Sequence, residues 1–524
     1  MSVCDDISLA AALYRQLRDD SLGVAERDAA YHPTSSGDQP SEHLLHLLWP
    51  RQDLLRQPLL TLDQRSIAVY RPGRWSRGIG PDFLDAKLRI GEAPVRVGAV
   101  EVHVASSDWV RHGHDRDPGY TKVLLHVVWH NDLGTKTVID ASGREIPQLV
   151  LSTALAMPLA ELRELLEDEG PLTGHGPGLS PCQRSLLEMN PETIGRLLDM
   201  AGEERWRQKA NRFALRLERR GVEQALYETL TEALGFQGNR MPFWQLARLA
   251  SLAQIREALG IGQATPLRMQ AILYGVSGFL RRWQAERRRP QPQRDAYVTT
   301  LTSHWEPVSA FFPECLDERQ WRMAGIRPAN FPQRRIAAAG YWLATLTQHS
   351  LVDLCLTPIR SLDAQASAAQ LRRCLNELAR RLYVAGEEDF WRRRYVIDGP
   401  EHHRPADLLG RGRATTMVVD VLLPAAAALA QLGDEPIALE TVRTLYACHP
   451  RLPVNEVTRQ MLRQFFGSDH TRAAIVNSAC RQQALLQLYR DFCLSELETC
   501  QECAFPRLVA RLERLQRDMP PGGR

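Results

Sequence analysis

Three residues in the first third of the chain combine types and spacing that could do chemistry: Asp82, Glu101 and His103. Two carboxylates and an imidazole suit a divalent cation with oxygen ligands. Such a cation polarises a phosphoryl oxygen and yields hydroxide from bound water, while a nearby base positions or deprotonates that water. Side chains alternate along a strand, so Glu101 and His103 share a face of the run Val95–Val104. Gly91-Glu92-Ala93-Pro94 is the turn cluster before it. A two-residue turn at Gly91-Glu92 pairs Ile90 with Ala93 and sets Asp82 opposite Glu101. A four-residue turn sets Asp82 opposite His103 instead, on the same face. A three-residue turn sends Asp82 to the other face. The plainer alternative is a half-buried hairpin with charges at a solvated edge. Against it, Glu101 and His103 are interleaved with Val100, Val102 and Val104. A carboxylate in such a strand is costly unless paired or metal-bound.

A second constellation is His103, His112, His114, His126 and His130, with Asp108, Asp115 and Asp117. His112-x-His114 plus a distant His can hold a transition metal such as zinc. His112, His114 and Asp115 fall on a polar loop that would border the acidic face and contact substrate phosphate. His126 shares a strand face with Leu124 and Val128 and reads as a hydrogen-bonded core residue. A third is Cys480, Cys493, Cys500 and Cys503 near the C-terminus, suited either to one tetrahedral metal or to helix packing. Arginine runs beside Trp283 and Trp391, at 281–289 and 392–394, can grip phosphates. Such runs are more commonly solvated helix faces, and the phosphate reading is kept for 281–289.

These residues need elements to position them. The pattern predicts a short helix over 5–20, a polar loop over 21–40 and a second helix from Ser41 to about Leu55. Strands are expected over 64–71, 82–90 and 95–105, a helix start at 106–108 anchored by Trp109, then strands Val123–His130 and Thr137–Ile139. Gly and Pro crowd the stretch Glu167–Pro181, which reads as a linker. Beyond it, helical spacing dominates, with no fixed repeat. The expected organisation is an α/β domain over 1–165, a linker over 166–185 and an all-helical domain over 186–524.

The pattern Pro81-Asp82 followed by Glu101-Val102-His103 resembles the Pro-Asp … acid-x-Lys motif of the PD-(D/E)XK nuclease superfamily, with His103 where that superfamily usually has Lys. The resemblance implies a restriction-endonuclease-like mixed sheet with flanking helices in the first third. It implies that Asp82 and Glu101 bind Mg²⁺ or Mn²⁺, that His103 orients the attacking water, and that the outcome is phosphodiester hydrolysis of nucleic acid. In that superfamily a helix before the sheet often carries a further acid, for which Glu42 is the candidate. Glu42 otherwise simply favours its helix N-terminus through the dipole. Some such nucleases hold an iron–sulfur cluster on cysteines, an alternative to zinc at the C-terminal set. A broader resemblance, to a bacterial family known as domain of unknown function 2851, rests on Gly80-Pro81-Asp82-Phe83, Gly98–His103, Ser107-Asp108-Trp109, His112–Asp115, Tyr120, Val123–Val128, Arg327–Pro332 and the Cys-rich tail. It implies no activity.

Composition bounds the rest. With 524 residues, 44% hydrophobic and 24% charged, the chain can build more than one core. The net charge of +3 does not by itself argue for nucleic acid. Only Lys87, Lys122, Lys136 and Lys209 are lysines, so few could serve as a nuclease Lys. No apolar run is long enough for a membrane span, and Asp5 and Asp6 stand where a signal peptide would be basic. A cytoplasmic protein with reduced cysteines is expected. Two other functions stay open: a nuclease-like scaffold that binds nucleic acid or protein without cleaving, and a His-rich metal-dependent hydrolase of a small substrate.

Overall fold

The computed structural model describes residues 9–22, 40, 42–76, 80–159, 162, 180–235, 238–260, 264–285, 291–323, 326–346, 350–362, 365–433, 438–493 and 503–518. The expected cap Ser41 and the cysteine Cys500 lie outside them, as do 163–179, most of the expected linker, and 286–289 of the first arginine run. Two compact units emerge. One comprises 17–189, 455–468 and 488–524; the other comprises 1–16, 190–454 and 469–487.

The first unit is built on one mixed sheet. Its strands are β1 (Leu59–Leu60), β2 (Ser66–Arg71), β3 (Arg74–Trp75), β4 (Phe83–Ile90), β5 (Arg96–Ala105), β6 (Val123–His130), β7 (Thr137–Ile139) and β8 (Glu145–Val150). The order is β1-β2-β4-β5-β6-β8-β7, with β3 pairing to β4. β2, β4 and β5 form an antiparallel meander, whereas β5, β6 and β8 run parallel. Parallel neighbours need a crossover. Between β5 and β6 it carries the short helix Asp108–Arg111, whose Trp109 is fully buried and donates its indole N–H to Ile139 O at 2.9 Å. β6 and β8 are rich in buried aliphatics, as strands covered on both faces must be. A helix precedes the sheet at Glu42–Leu48 and buries Leu44, Leu45, Leu47 and Leu48. It ends well before the expected Leu55; a 3-10 turn at Gln52–Leu54 follows.

The β4–β5 hairpin contains a register correction. At the turn end Leu88 pairs with Arg96 and Ala86 with Gly98, which is the three-residue-turn register. On its own that register would send Asp82 to the wrong face. The register then shifts between Phe83 and Ala86, so Phe83 pairs with Val100. A β-bulge does this by inserting one residue into β4, and Asp85 within it adopts φ 58°. One step further out, Asp82 again faces Glu101. Gly98 is required nearby, because a Cβ there would lie 2.6 Å from Lys122 O and from Leu124 Cγ.

The second unit is helical. Its longest helix, Pro191–Arg220, is capped by Asn190, whose side chain accepts from Glu192 N. Ser251 and Ser367 form capping boxes with Gln254 and Gln370. Residues 411–432 are long and apolar enough, by length and composition, to cross a membrane, contrary to the sequence expectation. They are mostly buried inside the chain, with Val418–Leu422 as a π-helical turn, and read as a core helix. The second arginine run is structural: Arg394 is buried over the Phe390 ring, and Arg393 donates to His403 O at 3.0 Å.

Candidate metal centre

The two acids lock each other in place. Asp82 N–H donates to Glu101 Oε2 at 3.0 Å, and Val102 N–H donates to Asp82 Oδ2 at 2.9 Å. Each carboxylate therefore spends one oxygen on a backbone amide and turns the other toward imidazoles. Asp82 Oδ1 lies 3.1 Å from His46 Nε2. Glu101 Oε1 lies 3.3 Å from His114 Nε2 and 3.5 Å from His103 Nε2. Glu101 and His103 are buried. Among the described residues, the ion-pair partners of Asp82 and Glu101 are all histidines.

His103 is the hub. Its Nδ1 is 3.0 Å from His126 Nε2 and its Nε2 is 3.2 Å from His112 Nδ1. The parallel β5–β6 register brings this about by pairing Glu101 with His126 on one face. His126 is thus buried as expected, but it belongs to the site rather than to an apolar core. The crossover supplies His112, which is exposed, and His114, which is buried. The His114 ring is stacked between His103 and Tyr120, at centroid distances of 5.2 and 3.8 Å. His103, His112 and His114 each offer one ligand atom within 4.8 Å of the others. Among the described residues this is the one such group of three His, Cys, Asp or Glu side chains.

The electrostatics are those of an acid pair with no Lys or Arg beside it among the described residues. Burial and the charge of Asp82 push Glu101 up to about 9. Glu42, from the preceding helix, is pushed up to about 7, chiefly by burial. Burial works against a charge on His46, yet the contact with Asp82 outweighs it and raises that imidazole above its ordinary value. Burial and the neighbouring imidazoles hold His103 well below the usual range. Burial also lowers His114, and brings His126 down to about 3. Neutral imidazoles are the ligating form.

The sequence-predicted Asp82, Glu101, His103, His112 and His114 come together here, and Glu42 senses the charges of Asp82 and Glu101. His46 was not anticipated. Its signal was the i, i+4 spacing from Glu42, which puts both on one side of the helix. The cysteines form no comparable group among the described residues. Cys480 is buried in the helical unit, with its thiol 3.8 Å from Asp199 O. Cys493 and Cys503 belong to the sheet unit, where a hydrogen bond involving Cys182 brings Cys503 down to about 7.

Residues 42–451 match the family described as "Protein of unknown function (DUF2851)". The chain belongs to that family. The match covers Glu42, the whole sheet, every histidine of the centre and most of the helical unit. No curated protein and no solved structure matches the chain.

Proposed function

We propose that the sheet unit is a divalent-metal-dependent phosphodiesterase acting on nucleic acid, with a nuclease-like arrangement of its acids. The observation that carries this is the reciprocal Asp82–Glu101 pair. Two carboxylates are fixed side by side on backbone amides, one is buried, and no Lys or Arg of the described chain neutralises them. Two facing carboxylates of this kind fit Mg²⁺ or Mn²⁺. The helix acid Glu42, the acid before β4, the Glu-x-His on β5 and the crossover to a parallel β6 also follow the order of parts in PD-(D/E)XK nucleases.

The bound cation would supply charge for the developing phosphorane oxygens and acidity for water. The chain's own residues do the rest. Asp82 and Glu101 hold the cation, and the neutral ring of His103 orients the water and accepts its proton. A polyanionic substrate suits the surroundings. Lys87 pairs with both Arg71 and Val97, so these side chains lie on the same sheet face as Glu101, and all three are exposed. Arg89, also exposed, extends that row toward the hairpin tip. Basic side chains leading to an acidic centre would bind phosphates ahead of the scissile one.

The test is a Mn²⁺ titration by calorimetry with cleavage of mixed DNA and RNA in the same buffer. Wild type binds and cleaves; Asp82→Asn loses both; His103→Ala keeps its fold and loses about a hundredfold or more in rate. Asp82→Asn cleaving as fast as wild type would sink the reading.

A further inference from the structure

The histidines of the centre outnumber what a nuclease-like acid pair needs. A magnesium-type site takes oxygens, and one base suffices to position water. Yet four imidazoles, from two strands and the crossover between them, converge around Glu101. Their spacing has a specific meaning. In a tetrahedral site with metal–nitrogen bonds of about 2.0–2.1 Å, neighbouring ligand atoms stand roughly 3.3 Å apart. Here His112 Nδ1 and His103 Nε2 are 3.2 Å apart, His114 Nε2 and Glu101 Oε1 3.3 Å, and His103 Nε2 and Glu101 Oε1 3.5 Å. The 3.2 Å contact between His112 and His103 also has hydrogen-bond geometry, so the spacing at His114 is the more telling one. His114 Nε2 is buried and makes no hydrogen bond, although it points at Glu101.

We propose that His103, His112 and His114 form a three-histidine site for one transition-metal cation of the zinc class, with Glu101 Oε1 beside two of the three rings. The proposal deepens the metal-dependent reading above, rests on it in sharing His103, and makes that ring a ligand in place of the proton acceptor. Imidazole nitrogens select such cations over magnesium. The partners behind the ligands also fit. His126 Nε2 faces Nδ1 of His103, which fixes the His103 ring and leaves Nε2 for the cation. Gln148 stands beside His126 on the next strand. Tyr120 and His103 stack on both sides of His114 and restrain its ring. One ligand comes from β5 and two from the crossover, so the cation would clamp that loop to the sheet.

Cobalt(II) is a suitable probe, because a tetrahedral site gives it intense visible absorption and an octahedral oxygen site does not. Chelator-treated full-length protein is titrated with Co²⁺ and then with Zn²⁺ as competitor. Wild type should take up one equivalent with the tetrahedral spectrum and release it to zinc. His112→Ala and His114→Ala should each bind at least about tenfold more weakly. Asp82→Asn should keep the spectrum. Wild type without a tetrahedral spectrum, or both histidine variants binding as wild type does, would overturn the site. His112 is exposed, so its replacement leaves the core intact and weaker binding by that variant reports a lost ligand rather than a lost fold. The hydrolase reading fails separately: a cobalt spectrum without cleavage under any cation removes the reaction and leaves the site. Asp82-dependent cleavage without the spectrum does the reverse.

Discussion

Glu101 in the sheet unit and Glu232 in the helical unit are both buried glutamates, and they sit at opposite electrostatic extremes. Burial alone raises a carboxyl. At Glu232 the guanidinium of Arg216, 2.6 Å away, and that of Arg240, 2.7 Å away, overcome it and bring the group down to about 2. At Glu101 burial and the second negative charge of Asp82 outweigh the opposing Asp82 amide and His46 imidazole, and the group is pushed up to about 9. The helical unit completes its charge networks from its own sequence. The sheet unit gives its acid pair no Lys or Arg partner among the described residues, and the cation proposed above would complete it.

The largest effect belongs to the completed network. Glu232→Gln should destabilise the protein by about 3 kcal/mol at pH 7, because two arginines lose their counter-charge in a buried place. Urea denaturation measures this. The sign with pH follows from a depressed folded value. The stabilisation is present above the ordinary carboxyl range near 4.5 and is lost as pH falls through about 2. Wild type and variant should therefore converge in acid. A loss that did not shrink in acid would mean that packing, not charge, holds this helix pair.

Glu101→Gln should act in the opposite direction. Its folded value is raised, so the native state keeps a proton that the unfolded chain releases. Stability from this group is full below about 4.5 and is lost as pH rises through about 9. Removing the group should stabilise the metal-free protein at pH 8, on the order of 2 kcal/mol, and change little at pH 4. The same variant should lose its stabilisation by Mn²⁺. Thermal melts with and without Mn²⁺ at both pH values measure this. Equal melting of wild type and variant at pH 8 without metal would remove the contrast.

Much of the sheet unit was legible in the sequence because strand alternation is local. Glu101 and His103 could be put on one face by counting, and Trp109 could be read as an anchor. The bulge at Leu84–Asp85 could not be counted, since nothing in the turn Gly91–Pro94 announces an extra residue earlier in the strand. His126 looked like a lone histidine among aliphatics; its role depends on which strand becomes its parallel neighbour, and that is set by the crossover. His46 is brought to Asp82 by tertiary packing, and only its spacing from Glu42 was local. The arginines at 392–394 looked like a charge run, but Arg334 fills the same region and donates to Arg394 O at 2.8 Å and Ala406 O at 2.7 Å. Long side chains reach carbonyls far along the chain, and a one-dimensional pattern does not carry that.

The smallest effect separates burial from pairing. Glu377 accepts from Arg380 at 2.7 Å and from Arg381 at 2.9 Å, and these hydrogen bonds bring it down to about 2, as far as Glu232. It lies on the solvent side of the helix Ala368–Leu382, however, and its Arg380 partner is largely exposed. Water competes for both groups in the native state, and salt screens them. Glu377→Gln should therefore cost less than about 1 kcal/mol, and molar salt should erase the difference. Salt should leave most of the Glu232→Gln loss in place, because that pair is sheltered. If Glu377→Gln cost as much as Glu232→Gln, close pairing alone would account for the stability. The contrast between a sheltered, completed network and the open one at Glu101 would then have to rest on Asp82 and its imidazoles rather than on burial.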